Sequence, residues 1–164
     1  MQSGKIEVAT NEGTYVVKLS GDVRLNLCSA LESYLDDMFL DESFKTVLID
    51  LSDAEGVDST TLGQLAKISI ISQEKFSLIP SIISPREDIT RILLSMGFDK
   101  VFYLIGDIPK QISELNELTC EKVDEELMRE KVIDAHKILM SLNEKNKNTF
   151  QELVDCLQAI NNKY

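Results

Sequence analysis

The 164-residue chain has no tryptophan, one histidine, three cysteines and three prolines. Without tryptophan, and with aromatics at 6% of residues, it lacks the stacking platform that single-stranded nucleic acid requires. The lone histidine, His136, and the absence of any Cys-x-x-Cys pair leave an ordinary zinc site without ligands. Cys28, Cys120 and Cys156 are odd in number and widely spaced, which is no disulfide framework and fits a reducing cytoplasm. Positive charge is also scarce. Seventeen Lys and Arg face 28 Asp and Glu, for a formal net charge of -11. Nucleic acid and anionic membrane both need a basic surplus, so neither is expected as a partner. No apolar run approaches the roughly 18 residues of a membrane span. The opening MQSGKIEVAT has no apolar signal core. No P-loop or dinucleotide glycine pattern occurs among the seven glycines, so no cofactor is expected.

What is present is an ordinary globular composition, 43% hydrophobic and 27% charged. The first two thirds alternate strand and helix signals. Lys5–Ala9 and Thr14–Leu19 read as strands around a Glu12-Gly13 turn, and Ser20-Gly21-Asp22 breaks the pattern. Asn26 is the expected N-cap of a helix to about Phe39, with Leu27, Leu31, Leu35 and Met38 on one face. Phe44–Leu51 is a nearly continuous apolar run, expected as a strand covered on both faces. A polar loop, Ser52–Asp58, leads to a helix over about Thr60–Ser72. Ser77–Ser84 reads as a strand that Pro80 pushes to an edge or bulge. A helix opened by Pro85 carries Ile89, Ile92, Leu93 and Met96 and closes at Gly97. Val101–Ile105 is a last short strand, and Gly106-Asp107-Ile108-Pro109 marks a boundary.

Beyond residue 110 the character changes. From Glu114 to Tyr164 there is no Gly or Pro, and Met128, Val132, Ala135, Leu139, Leu142, Asn146, Thr149, Leu153, Cys156 and Ile160 recur at heptad-like steps. Asn143–Asn148 reads equally as part of one long helix or as the turn of a helical hairpin. A symmetric dimer with Asn146 fixing its register and a bundle folded on the chain's own sheet are both compatible with the pattern. Both halves of the chain are acidic, which favours a hydrophobic seam or a basic protein partner over a charge-paired self-interface.

The richest local feature is Asp50–Gly63, where a buried strand ends in an acidic loop and Ser59, Thr60 and Thr61 open a helix. Free N–H groups and the positive end of the dipole at a helix start stabilise an anion, so the backbone there tolerates a phosphoryl group on Ser59. Such a group adds about 1.5 to 2 negative charges beside Asp53, Glu55 and Asp58. Hydroxyl and acidic residues also open helices commonly, so the local pattern alone reads as a cap. A Ser-His-Asp hydrolase would need His136 on Ser59; no Gly-x-Ser-x-Gly occurs, and His136, among Ala135, Ile138 and Leu139, reads as a partly exposed helix residue rather than a base. The chain is therefore not expected to be an enzyme.

Four segments together resemble the STAS family of bacterial anti-sigma factor antagonists, over about residues 4 to 108. They are Leu19-Ser-Gly-Asp22 after the first strands, Thr46-Val-Leu-Ile-Asp-Leu51, Val57-Asp-Ser-Thr-Thr-Leu-Gly63, and Leu94-Ser-Met-Gly-Phe98 followed by Val101-Phe102. The resemblance implies an α/β fold, with a mixed sheet of four to five strands covered by helices on one face, over residues 1–110. A C-terminal helical extension would then occupy residues 111–164. It implies Ser59 as phosphate acceptor, with Asp22, Asp58, Thr60, Thr61, Leu62 and Gly63 in the phosphorylation loop and partner surface. Thr61 stands where the family usually has Gly or Ala, and its β-branched side chain stiffens the first turn. The helical extension resembles that of Gram-negative antagonists. In those, a serine kinase and a PP2C-type phosphatase, often on a response regulator, set the phosphorylation state, and the antagonist trades between regulator and anti-sigma factor. The alternative is a constitutive scaffold that binds through its C-terminal helices, with Ser59 only a cap.

Overall fold

The computed structural model describes residues 2–106 and 115–161. Two strands come first, β1 (Lys5–Asn11) and β2 (Thr14–Val23). They pair antiparallel through a tight turn in which both Glu12 (φ 50°) and Gly13 (φ 87°) are left-handed. That geometry matches the twist of a two-residue hairpin. A Cβ on Gly13 would lie 1.9 Å from the Ser43 carbonyl oxygen, so the position needs glycine on two counts. The chain then alternates α1 (Cys28–Leu40), β3 (Thr46–Val57), α2 (Ser59–Phe76), β4 (Ser81–Ile83), α3 (Glu87–Ser95) and β5 (Tyr103–Ile105). A short β6 (Asn116–Glu117) precedes two helices, α4 (Glu125–Leu142) and α5 (Glu144–Asn161).

Among the described residues the sheet has six strands in the order β5-β4-β3-β2-β1-β6. Its β2-β3-β4-β5 half is parallel, and β1 is antiparallel to both β2 and β6. Val17 and Leu19 of β2, Val47, Ile49 and Leu51 of β3, Leu31, Leu35 and Met38 of α1, Leu65 and Ile68 of α2, and Leu93 of α3 form one apolar core. All are 2% exposed or less. Leu48, between Val47 and Ile49, is only half-buried. The Phe44–Leu51 run, expected to be covered on both faces, therefore keeps its main core on one, with α1, α2 and α3 packed there.

Several boundaries differ from the sequence expectation. The break at Ser20-Gly21-Asp22 is no break. β2 continues to Val23 and carries β3 with it to Val57, through the segment expected as a polar loop. The pairing survives by register shifts between Lys18 and Ser20 and between Gly21 and Asp22, with Gly21 at φ 71°. Asn26 caps nothing: Leu25–Leu27 form a 3-10 turn, and α1 begins at Cys28 without a side-chain cap. α2 runs four residues past Ser72, to Phe76, and ends on a left-handed Ser77. β4 is an interior strand, because Pro80 lies just outside it and offers only its carbonyl, to the Tyr103 N–H. β6 was not foreseen; it is two polar residues long and pairs with Glu7 and Val8. The boundary expected at Gly106–Pro109, and with it the division at residue 110, falls largely outside the described residues.

The C-terminal segment is a helical hairpin. Asp124 caps α4 by accepting from the Leu127 N–H at 2.7 Å. Asn143 breaks the run with an extended backbone and caps α5 by accepting from the Asn146 N–H at 2.7 Å. The hairpin packs against α2, and Leu139 and Phe150 join the main core. The heptad-like row splits within α5. Ala135, Leu139 and Asn146 point inward, whereas Leu153 is 42% exposed and Ile160 40%.

Candidate functional site

Asp58 organises the head of α2. Its main-chain N–H donates to the Val23 carbonyl at 3.2 Å, which fixes the end of β3 to the end of β2. One carboxylate oxygen accepts from the Thr61 N–H at 2.8 Å, the N-cap bond of α2. The other accepts from the Leu25 N–H at 2.7 Å, at the start of the 3-10 turn. A single carboxylate thus ties two chain reversals together. Asp22, the other expected loop acid, sits on the neighbouring strand beside Gly56 and pairs with Arg24 at 2.6 Å. It is half-buried and does not contact Ser59.

Ser59 is the first residue of α2 and is half-buried. Its Oγ lies 2.8 Å from Nε2 of His136, 77 positions along the chain. On the other side of the imidazole, Nδ1 lies 2.6 Å from the Val132 carbonyl oxygen. A carbonyl can only accept, so Nδ1 carries a proton. In the neutral ring Nε2 then accepts from the Ser59 hydroxyl. The ring also meets Phe150 of α5 edge-on, with centroids 5.0 Å apart. His136 is 2% exposed, which overturns its reading as a partly exposed helix residue. The pair is not a hydrolase triad: the ring nitrogen that a carboxylate would orient is held by a main-chain carbonyl of the preceding turn. No group of His, Cys, Asp and Glu among the described residues is arranged to hold a metal ion.

Thr60, Thr61 and Leu62 are 4%, 1% and 2% exposed, and Gly63 is also buried. The expected partner-facing residues are therefore covered by the chain itself. Thr61 turns toward α1, its Oγ1 3.9 Å from the Cys28 sulfur. Burial pushes the Cys28 thiol up to about 12. Gly63 faces α4 so closely that a Cβ there would lie 2.3 Å from the Ala135 carbonyl oxygen and 2.6 Å from its Cβ. The next residue, Gln64, is 3% exposed with Oε1 lacking any partner, a penalty of about 1–3 kcal/mol. Further along the seam, Lys131 of α4 reaches Glu32 of α1 at 2.5 Å, and Lys67 of α2 approaches the same carboxylate at 3.9 Å. At its far end the hairpin is tied to the residue closing α3. The side-chain amides of Asn143 and Asn146 both donate to the Met96 carbonyl, at 3.2 and 2.9 Å.

Sequence reasoning singled out Ser59 and Asp58 but set a His136 contact aside, since nothing local links residues 59 and 136. One signal was available: a glycine inside a helix costs about 1 kcal/mol relative to alanine, and Gly63 repays that by admitting a second backbone.

A family model described as "Mlab, STAS domain" matches residues 6–106, which span β1 to β5 and leave out α4 and α5. Two curated relatives, from Thermotoga neapolitana and Thermotoga maritima, carry the description "Putative anti-sigma factor antagonist". Each is 29% identical over 104 residues, covering 61% of this chain and 89% of the relative. A crystal structure of an anti-sigma factor antagonist from Mycobacterium paratuberculosis superposes with a TM-score of 0.54 at 26% identity, over 65% of this chain and 88% of that one. With more than half of its length matched by the family model, and with the sheet and helices to go with it, this chain belongs to the STAS-domain family.

Proposed function

We propose that the protein is an anti-sigma factor antagonist that works by binding rather than catalysis, and that phosphorylation of Ser59 decides which partner it holds. The carrying observation is the placement of Ser59: a hydroxyl at the first residue of α2, directly after the capping Asp58, within the stretch matched by the family model. Relatives described as anti-sigma factor antagonists support the general role. In the modification step the Ser59 oxygen bonds to the γ-phosphorus of ATP, ADP leaves, and the hydroxyl proton passes to the kinase's base. The product carries about 1.5 to 2 extra negative charges directly after the Asp58 carboxylate. A surface that docks one partner when neutral then repels it and favours another. The partners in this reading are an anti-sigma factor, a serine kinase and a PP2C-type phosphatase, all meeting the protein in the cytoplasm. No described helix is long and apolar enough to cross a membrane.

The test is phosphosite mapping by mass spectrometry after incubation with native lysate and ATP, run beside pull-downs of wild type, Ser59→Ala and Ser59→Asp. Phosphate at Ser59 and a changed partner set for Ser59→Asp are expected. An unmodified Ser59, with all three proteins capturing the same partners equally, sinks the switch. A second reading, a constitutive scaffold binding through α5, is favoured by one observation: Leu153 and Ile160 stand exposed on that helix. Deleting residues 144–164 would then abolish capture whatever the state of Ser59.

A further inference from the structure

The surface around Ser59 is already occupied, and the occupant belongs to the same chain. α4 lies on α2 with the Ala135 backbone against Gly63, His136 on Ser59, and Lys131 drawn to Glu32. Beneath it, Gly63 is buried and Ser59 half-buried. The family match stops at residue 106, so this cover comes from outside the STAS unit. The contact is also chemically mixed. It has a buried histidine and a serine hydroxyl at its centre, an ion pair at one flank, and an unpaired Gln64 oxygen next to Gly63 on α2. Leu139 and Phe150 add apolar contact farther along, but at Ser59 itself the cover is held by polar groups whose bonding changes if the hydroxyl is modified.

We infer that the α4–α5 hairpin is a built-in competitor for the partner surface of α2, latched by the Ser59–His136 hydrogen bond and released when Ser59 is phosphorylated. The inference rests on the Ser59 reading above and adds to it what the phosphate acts on. Unmodified Ser59 donates its proton to Nε2, and the hairpin stays closed. A phosphate ester has no proton on Oγ to donate, and an imidazolium Nε2–H could bond a phosphoryl oxygen instead only after the ring had moved away to make room for the phosphorus. It also places a tetrahedral, doubly charged group where 2.8 Å now separates oxygen from ring nitrogen. The ring cannot retreat, because Nδ1 is held by Val132 and the ring edge by Phe150. Asp58 lies on the same turn, so the new charge meets a like charge as well. Lifting α4 relieves all three conflicts and uncovers the Ser59–Gly63 side of α2. The face exposed is small-residue and close-approach in character, suited to a partner helix that presents a small residue to Gly63 as Ala135 does.

Hydrogen exchange with mass spectrometry on the full chain tests this without any partner. Gly63→Ala is the sharper variant. An alanine is better than glycine within α2 taken alone, yet its Cβ collides with the Ala135 backbone, so the sheet domain stays folded while the hairpin is pushed off. Ser59→Glu places charge at the latch. The expected result is at least a tenfold faster exchange of α4 amides from Ile133 to Leu142 in both variants, with β2 and β3 protected as in wild type. Wild-type protection of α4 in both variants overturns the latch, even if mass spectrometry finds phosphate on Ser59. Release of α4 in both variants upholds the latch, even if no phosphate is ever found, in which case the switch reading alone falls.

Discussion

Asn146 offers the most direct measure of how firmly the hairpin is held. It is 2% exposed, and its side-chain amide donates to two carbonyls, Met96 and Leu139, each at 2.9 Å. Leu139 lies in the last turn of α4, where carbonyls have no intrahelical donor. Met96 O has a second donor in Asn143, but no other hydrogen bond to Leu139 O from a side chain is recorded among the described residues. Replacing Asn146 by alanine therefore loses two hydrogen bonds, about 1 kcal/mol each, and strands a buried carbonyl, about 1–3 kcal/mol more where water cannot reach it. Partial access of water lowers the total, so roughly 2–4 kcal/mol is expected. Asn143→Ala should cost only about 1 kcal/mol, because it removes a cap and leaves Met96 O bonded to Asn146. For a chain of this size 1 kcal/mol moves Tm by about 2–4 °C, so Asn146→Ala should lower it by roughly 5–15 °C and by clearly more than Asn143→Ala. Thermal scans and urea titrations of the two variants measure this directly. A Tm within about 1 °C of wild type for Asn146→Ala would refute the intrachain role. So would a strong dependence of wild-type Tm on protein concentration, which is the signature of a residue buried between subunits.

Asp58→Ala removes one charged acceptor shared by the Thr61 and Leu25 amides and should cost about 2–4 kcal/mol in urea unfolding, with Asp58→Asn recovering part of it. A cost below about 0.5 kcal/mol would show that the carboxylate ties nothing together. Cys120 and Cys156 are exposed and Cys28 is buried. Iodoacetamide at pH 8 should therefore label two thiols readily and the third, held protonated by burial, only on unfolding; rapid labelling of Cys28 would contradict the packing of Thr61 against it. Burial also pushes Tyr34 up to about 12, and Cys28 with it. Both groups titrate lower when unfolded, at values near 9 and 10. Between those values and about 12 the folded state binds more protons, so stability falls as pH rises above about 9. Urea midpoints from pH 7 to 11 check this, and a flat profile to pH 11 would overturn it.

The parts of the fold legible in the sequence were those written in side-chain periodicity. The α1 stripe of Leu31, Leu35 and Met38 and the alternation of β1 and β2 are both where pattern predicts. What escaped is written in the backbone. β2 and β3 run on past Gly21 because two register shifts absorb the irregularity, and no hydrophobic pattern records a bulge. β6 pairs through main-chain groups of Asn116 and Glu117, residues that carry no strand signal. Asn26 resembles a cap, yet the Asp58 carboxylate, far along the chain, takes the Leu25 amide. At the site the same division holds. Ser59 and Asp58 are adjacent and form a readable motif, whereas His136 joins them only through the docking of α4.

That docking also changes how the missing motif residue should be understood. Thr61 stands where the family usually has a smaller residue, which taken alone suggests a first turn blocked against a kinase. In the structure Thr61 points into the fold, toward Cys28, and is 1% exposed. It therefore takes up no space on the outer face of α2. The side chains that do cover that face are His136 and Ala135, from outside the matched family region. Access to Ser59 is thus governed by the position of α4 rather than by the size of residue 61. Trimming Thr61 to alanine should leave phosphorylation unchanged, whereas Gly63→Ala, whose Cβ would collide with Ala135, should raise its rate. The opposite ranking in a time course of phosphate incorporation from lysate and ATP would return the control to Thr61.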